Sequence, residues 1–126
     1  MGWMKKGLLI GGVATALLVG CENGQQQRNS AASGSLALST DDSVLYAADT
    51  DNGVVTVIDT KTDTRLYDVQ VGTRPMRLAV GSDDTLFVAN RGSRSVSVVR
   101  KGERQVSTEL STGVDPTGMA VSFDGK

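Results

Sequence analysis

Hydrophobic and polar positions alternate in short runs along the second half of this chain. Val55-Thr56-Val57 and Val96-Ser97-Val98 alternate with a period of two, the spacing of a β-strand that is buried on one face. Val44-Leu45-Tyr46-Ala47 is apolar throughout, which indicates a strand buried on both faces. Turn-forming residues such as Asp41-Asp42 and Asp83-Asp84 separate the runs. The pattern predicts eight strands, over residues 35–38, 44–48, 54–59, 65–71, 77–80, 86–90, 96–100 and 105–111.

The same pattern occurs more than once. Residues 36–48 return as residues 78–90, an offset of 42, and a third copy starts at Met119 and runs to Lys126. Beyond an extra residue that we place near Val54, the offset becomes 41, so that Gly72 matches Gly113. Repeats of roughly 40 residues with four short strands are typical of β-propeller blades. We therefore predict an all-β fold, a β-propeller of four-stranded antiparallel blades with about two and a quarter blades present.

An incomplete set of blades has two explanations. Closed propellers hold roughly four to eight blades, whereas residues 36–126 account for about two and a quarter. Either the chain is the N-terminal piece of a longer propeller, which we prefer, or several copies assemble to close one ring.

The first residues of the chain have a different character. Lys5 and Lys6 precede an apolar stretch over residues 7–20, which has the length of a signal-peptide h-region and is short for a membrane span of about 20 residues. The stretch ends in Leu18-Val19-Gly20-Cys21, and Cys21 is the only cysteine of the chain. This segment resembles the lipobox of bacterial lipoproteins, which implies cleavage before Cys21 and lipidation of its thiol. A signal-anchor helix with an incidental cysteine is the alternative.

The segment after Cys21 predicts a tether. Residues 22–35 hold no aliphatic side chain larger than alanine and cannot pack a core. We therefore divide the chain into a signal peptide at 1–20, a flexible tether at 21–35 and the repeats at 36–126. Acyl chains on Cys21 would anchor the protein to a membrane of the cell envelope, facing the periplasm or the cell surface. The lipoprotein resemblance favours the outer membrane, since Glu22 rather than aspartate follows the cysteine.

Composition excludes several classes of function. Without residues 1–20 the chain has eleven basic and fourteen acidic side chains, a formal charge of −3, so we expect no nucleic acid as partner. The chain has no histidine, which removes imidazole metal sites and histidine-based triads. The aspartate pairs are interpreted as turn formers rather than calcium ligands. We predict no metal, no cofactor and no catalytic residue, and an enzyme is less expected than a non-enzyme.

Three further elements recur in the repeats. They are Leu86-Phe87-Val88-Ala89-Asn90-Arg91-Gly92-Ser93, Val55-Thr56-Val57-Ile58-Asp59-Thr60 and Val71-Gly72-Thr73-Arg74-Pro75. They resemble the Tyr-Val-x-Asn-x-Gly-Ser, Val-Ser-Val-Ile-Asp-Thr and Val-Gly-x-x-Pro elements of YVTN-type β-propeller repeats. The resemblance implies a seven-bladed propeller, often secreted or on the cell surface, without one shared activity. Arg100-Lys101 and Arg77 depart from the pattern, where the family has Asp-Thr and glycine.

One end of the predicted sheets collects arginines. In an antiparallel meander, the loops after the second and the fourth strand of each sheet lie at the same end. The candidate ligand-binding residues of these loops and the adjoining strand ends are Arg74, Arg77, Arg91, Arg94, Asp49, Asn90 and Asp115. Guanidinium groups bind carboxylates and phosphates well, so the set predicts an anionic ligand. Solvated arginines paired with Asp49, Asp51 and Asp115 are the simpler interpretation, which we favour.

These observations lead to three hypotheses of function. The first is a membrane-anchored lipoprotein β-propeller that acts as a binding or scaffold module at the cell envelope, with the membrane and an unknown protein or small anionic ligand as partners. The alternative is the propeller part of a larger periplasmic oxidoreductase of the haem or quinone type, because YVTN-type propellers resemble domains of such enzymes. A lactonase-like hydrolase ranks last, since the predicted inner strands at 36–38 and 78–80 carry no carboxylate.

Overall fold

A computed structural model of the chain describes residues 34–122. This part contains eight strands and no helix. The strands are β1 Leu36–Leu38, β2 Val44–Asp49, β3 Val54–Asp59, β4 Thr64–Gln70, β5 Pro75–Val80, β6 Leu86–Asn90, β7 Ser95–Val99 and β8 Thr108–Ser111. All eight strands were predicted from the sequence. The predicted signal peptide, Cys21 and residues 22–33 of the predicted tether lie outside the described residues.

The strands form two antiparallel sheets. The strand order is β1-β2-β3-β4 in the first sheet and β5-β6-β7-β8 in the second, so every strand pairs with its neighbour in sequence. This confirms the all-β class and the four-stranded antiparallel unit. A bridge from the Leu78 N–H to the Gly34 carbonyl, 2.8 Å, ties the beginning of the described chain to β5. The ring closure that a propeller requires stays a prediction.

The strand register corrects the alignment of the two repeats. The Ser39 N–H donates to the Val44 carbonyl at 2.9 Å, and in the second sheet the Gly81 N–H donates to the Thr85 carbonyl at 2.8 Å. The turn between β1 and β2 is therefore one residue longer than the turn between β5 and β6. Our placement of the extra residue near Val54 was wrong, because the offset changes from 42 to 41 already in this turn, before β2.

The two sheets pack against each other through alternating aliphatic residues. Valines of β3 and β4 meet leucines and valines of β5, β6 and β7, and β1 and β2 approach β5. The buried cluster consists of Val55, Val57, Val69, Leu78, Val80, Leu86, Val88 and Val99. Tyr46, in the strand predicted to be buried on both faces, is half-buried and packs against this cluster. Phe87 is the counterpart of Tyr46 in the corrected alignment. It is half-buried on the face of the second sheet that points away from the first sheet.

Aspartates build the tight turns. Asp42 and Asp84 have left-handed backbones, with φ of 58° and 62°. Asp59 accepts the backbone N–H groups of Lys61 and Thr62 at 2.8 and 3.0 Å, a local bond that fixes the turn between β3 and β4. The aspartate pairs form turns as predicted: Asp42 and Asp84 adopt the positive φ, while Asp41 and Asp83 accept the backbone N–H groups of Ser43 and Thr85 at 3.0 Å.

Candidate functional site

Four loops meet at one end of the two sheets, which we call the arginine end: residues 50–53, 71–74, 91–94 and 112–117. Backbone hydrogen bonds hold them together. The Arg91 N–H donates to the Arg74 carbonyl at 3.0 Å, and the Thr112 N–H donates to the Arg94 carbonyl at 2.9 Å. The Thr50 hydroxyl reaches from the first sheet to the Pro75 carbonyl at 2.9 Å. The structure thus brings the loops of both sheets to a common end, as the meander predicts.

Two of the four arginines share one carboxylate. The Nε atoms of Arg91 and Arg94 each lie 3.5 Å from a carboxylate oxygen of Asp115. All three side chains are more than two-fifths exposed, and exposed pairs of this kind contribute roughly 0–1 kcal/mol each. The pairing therefore orders the loop after β8 only weakly, and it leaves two guanidinium groups facing a single acid.

The other two arginines lie close by. The Nε of Arg77 donates to the Thr117 carbonyl at 3.4 Å, so the segment after β8 passes over this β5 side chain. Arg74 is exposed and has a left-handed backbone with φ of 53°. Its Cγ lies against Gly92, where an added Cβ would come within 3.2 Å of it. All four arginines of the prediction therefore lie at or beside the arginine end.

Asp49 uses its carboxylate within its own turn. It accepts the backbone N–H groups of Asp51 and Asn52 at 3.1 and 3.0 Å and the Asn52 side-chain amide at 2.7 Å. The hydrogen bonds from Asn52, followed by the one from Asp51, hold the pKa of Asp49 below its ordinary value, although burial opposes them. Asp49 is thus an anion that shapes residues 50–53. Within residues 34–122 it forms no ion pair with Arg91 or Arg94, which both pair with Asp115.

Asn90 lies beneath the arginine end rather than on it. Its side chain is fully buried, and its Nδ2 donates to the hydroxyls of Ser97 at 2.7 Å and Ser95 at 3.3 Å. Its Oδ1 is buried without a hydrogen-bond partner among the described residues. Gly72 passes directly above, since an added Cβ there would come within 2.6 Å of the Asn90 Nδ2. Asn90 therefore supports the loops from inside the second sheet.

The sequence did not reveal a second polar cluster at the opposite end of the sheets. Asp84 is only 4% exposed and accepts the Thr40 N–H at 2.7 Å and the Lys101 ammonium at 2.6 Å. Burial raises the pKa of Asp84, but the bonds from Lys101 and Thr40 outweigh it and the pKa lies below its ordinary value. A cavity of about 190 Å³ between the sheets adjoins this cluster.

Long separation in sequence explains why the cluster was missed. Thr40 is 44 residues from Asp84, and Lys101 is 17 residues from it. The one available signal was Lys101 itself, because Arg100-Lys101 replaces the Asp-Thr of the repeat pattern. Residues 34–122 bring no three acidic, cysteine or histidine side chains into an arrangement that could hold a metal ion. Nor does this range contain a helix with the length and apolarity needed to cross a bilayer.

Comparison with known proteins finds a likeness among solved structures. No protein-family model matches the chain, and no curated protein matches it. Among solved structures, the chain is similar to a chain of Kuenenia stuttgartiensis hydrazine synthase, with 31% sequence identity and a TM-score of 0.70. The match covers 82% of this chain and 30% of that chain. The chain therefore spans less than a third of the solved chain it matches, and the likeness agrees with the all-β architecture.

Proposed function

We propose that the two sheets are blades of a β-propeller and that the protein is a binding or scaffold module of the cell envelope, anchored through lipid on Cys21. The repeat, the strand order and the likeness to a longer chain support the propeller. Two sheets correspond to 30% of the hydrazine synthase chain. A chain as long as that one and built throughout from such sheets would hold about six or seven sheets, which falls within the usual number of blades in propellers.

The observation that carries the binding role is the convergence of Arg74, Arg77, Arg91 and Arg94 at the arginine end. Backbone hydrogen bonds between the loops fix the spacing of these residues before any ligand arrives. Asp115 holds Arg91 and Arg94 in weak, exposed pairs, which an incoming carboxylate or phosphate would replace at little cost. Guanidinium groups bind such anions in a bidentate manner, so the partner is an acidic protein segment or a small anion.

The test compares charge reversal at the two ends of the sheets. Arg74→Glu with Arg91→Glu should weaken binding of inorganic phosphate and of a polyglutamate peptide at least about tenfold, because both the attraction and the bidentate donors are lost. Titration calorimetry provides the dissociation constants. Lys61→Glu with Arg100→Glu is the matched control, since both side chains are exposed at the opposite end. Lys101 is unsuitable as a control, because it binds the buried Asp84.

Two results would count against this proposal. Equal weakening by the control pair would show that the effect comes from net charge alone. If the wild-type protein binds neither phosphate nor polyglutamate, the proposal of an anionic ligand is wrong. The anchor is tested on the membrane fraction of cells that express the protein: the intact mass should show loss of residues 1–20 and gain of acyl chains, and Cys21→Ser should abolish both.

The likeness to hydrazine synthase favours a second candidate function. At 31% identity over 82% of this chain, the sheets are similar to part of a protein whose name is that of an enzyme. The chain would then be the propeller part of a larger oxidoreductase, with its chemistry elsewhere. A coding sequence that continues beyond Lys126 into a Cys-x-x-Cys-His haem motif would decide for this function. Native protein of 126 residues without bound haem or quinone would decide against it.

A further inference from the structure

The cavity between the two sheets is bounded by both tyrosines of the chain. Its volume is about 190 Å³, and it lies at the end of the sheets opposite the arginine end. Tyr46 of β2 and Tyr67 of β4 line it. The apolar wall is completed by Val44, Val57 and Leu66. Because an apolar cavity of about 150 Å³ holds benzene, this cavity has room for an organic molecule of about six to eight heavy atoms.

An ionised carboxylate lies at the mouth of the cavity. Asp41 is exposed there, and its Oδ1 accepts the Ser43 N–H at 3.0 Å and the hydroxyls of Ser43 and Ser39 at 2.7 and 2.8 Å. These bonds, the largest contribution coming from Ser43, hold the pKa of Asp41 below its ordinary value. Within residues 34–122 the bonds all fall on Oδ1, so that Oδ2 is left to accept a hydrogen bond from a ligand.

The charges around the cavity favour a cation. Asp41 and Asp84 are the acidic residues that line it, and Lys101 is the basic one. The Lys101 ammonium lies 2.6 Å from Asp84 Oδ2, so it neutralises the buried carboxylate and leaves the charge of Asp41 uncompensated. The turns at this end carry six acidic and four basic side chains, over residues 39–43, 60–63, 81–85 and 100–107. The potential at the cavity is therefore negative.

The tyrosine rings add a second attraction for a cation. The Arg104 guanidinium already lies over the ring of Tyr67, 4.8 Å from its centroid. The electron-rich face of such a ring attracts cations, and the attraction grows where water is excluded. Burial raises the pKa of Tyr46, so its ring is neutral at physiological pH. Two neutral rings beside one free carboxylate oxygen form a suitable environment for an alkylammonium group.

We propose that this cavity binds a small organic cation, with its ammonium group beside Asp41 and its apolar part against Tyr46 and Tyr67. A carboxylate or phosphate is disfavoured, because Asp41 would repel it and the Lys101 ammonium is already bound to Asp84. The cavity lies between the faces that the two sheets turn toward each other, so further sheets on either side would leave it in place. The site is separate from the arginine end and does not depend on the ligand proposed there.

The test follows the tyrosine signals by NMR in the full-length chain, prepared with isotope-labelled tyrosine in a mild non-ionic detergent. Both tyrosines of the chain line the cavity, so every tyrosine signal reports on it. Choline is the probe, and its neutral isostere is neohexanol, in which carbon replaces the nitrogen. We expect choline to shift the tyrosine signals with a dissociation constant on the order of 1 mM or tighter. Neohexanol should bind at least about fivefold more weakly, and the anion of tert-butylacetic acid more weakly still.

Two variants and a control locate the site. Asp41→Asn removes the charge at the mouth, and Tyr67→Leu removes one ring but keeps an apolar wall. Each should weaken choline binding by about fivefold or more, and Tyr46 remains as the reporter in both. Asp63→Asn is the matched control, since it makes the same change of charge at the same end of the sheets without lining the cavity. Circular dichroism shows whether each variant keeps its sheets, and if one variant does not, the other decides.

Several outcomes would overturn the proposal. Neohexanol binding as tightly as choline would reduce the site to an apolar cavity, and tighter binding of the anion would give the ligand the wrong charge. Tyrosine signals that choline does not shift would remove the site. Equal weakening by Asp63→Asn and Asp41→Asn would assign the effect to net charge, and choline binding that neither Asp41→Asn nor Tyr67→Leu changes would place the ligand elsewhere.

Discussion

At the scale of single residues, the glycine of the Val-Gly-x-x-Pro element has a steric role in one repeat and a conformational role in the other. At Gly72, an added Cβ would lie 2.2 Å from the Ser93 hydroxyl and 2.6 Å from the Asn90 amide. At Gly113, no atom lies within 4 Å, but φ is 75°, a backbone that favours glycine. The same motif position therefore disfavours substitution for different reasons, which the motif alone does not show.

Gly72→Ala should lower the free energy of unfolding by about 1–3 kcal/mol, because the methyl group must displace Asn90 and Ser93 in a packed region. Gly118→Ala is the matched control: it has open space around it, and its effect should stay within about 0.5 kcal/mol. Urea denaturation of both variants measures the difference. Equal effects would mean that the close approach at Gly72 relaxes without cost.

At the scale of elements, the turns between strands depend on ionised aspartates. Asp49, Asp59 and Asp83 accept backbone N–H groups two or three residues further along the chain. Hydrogen bonds from Asn52 lower the pKa of Asp49, those from Thr62 and Lys61 lower the pKa of Asp59, and those from Thr85 lower the pKa of Asp83. Each of these turns is therefore tied to the charged form of one carboxyl group.

The stability of the protein should fall in acid. A carboxyl group whose pKa is lower in the folded state stabilises the fold above its unfolded pKa, near 3.9, and loses that contribution as the pH falls through the folded pKa. We expect a constant free energy of unfolding between about pH 7 and 5 and a decline below about pH 4. Denaturation at several pH values checks this.

The variant Asp59→Asn tests the cause of the acid dependence. It keeps a side-chain oxygen that can accept the N–H groups of Lys61 and Thr62, but it does not titrate. The acid-dependent decline should therefore become shallower, because the variant lacks at neutral pH the part of the stability that depends on the charge of Asp59. An unchanged decline would assign the acid sensitivity to other groups.

At the scale of the whole molecule, packing separates positions that the repeat makes equivalent. Leu36 and Leu78 occupy the same place in β1 and β5, yet Leu36 is 57% exposed and Leu78 is fully buried. Leu78→Ala should cost about 2–5 kcal/mol, because it removes contacts and leaves a cavity. Leu36→Ala should cost less than about 1 kcal/mol in the isolated chain.

The comparison is made by chemical denaturation of the two variants and the wild-type protein. Equal costs at the two positions would show that the second sheet does not depend on the contact between the sheets.

Most of the strands, the turns and the common end of the arginine loops could be predicted because their causes are local. Alternation with a period of two defines a strand within about six residues, and an aspartate reaches donors only two or three residues away. Where long-range contacts decide, prediction from sequence was less accurate. β5 begins at Pro75 rather than at residue 77, and β8 is limited to Thr108–Ser111, because pairing with the neighbouring strand determines where a strand ends.

The sequence by itself determined the all-β class, the eight strands, the aspartate turns and the end of the sheets that carries the arginines. Only the tertiary structure decided which face of β2, β6 and β7 is buried, since both faces of β2 and β6 are apolar in sequence, and in β7 Ser97 rather than Val96 is buried. It also buried Asn90, joined Asp84 to Thr40 and Lys101, and paired Arg91 and Arg94 with Asp115. The physical reason is that strand and turn preferences act over a few neighbouring residues, whereas burial and ion pairing depend on which distant segments the packing of the two sheets brings together.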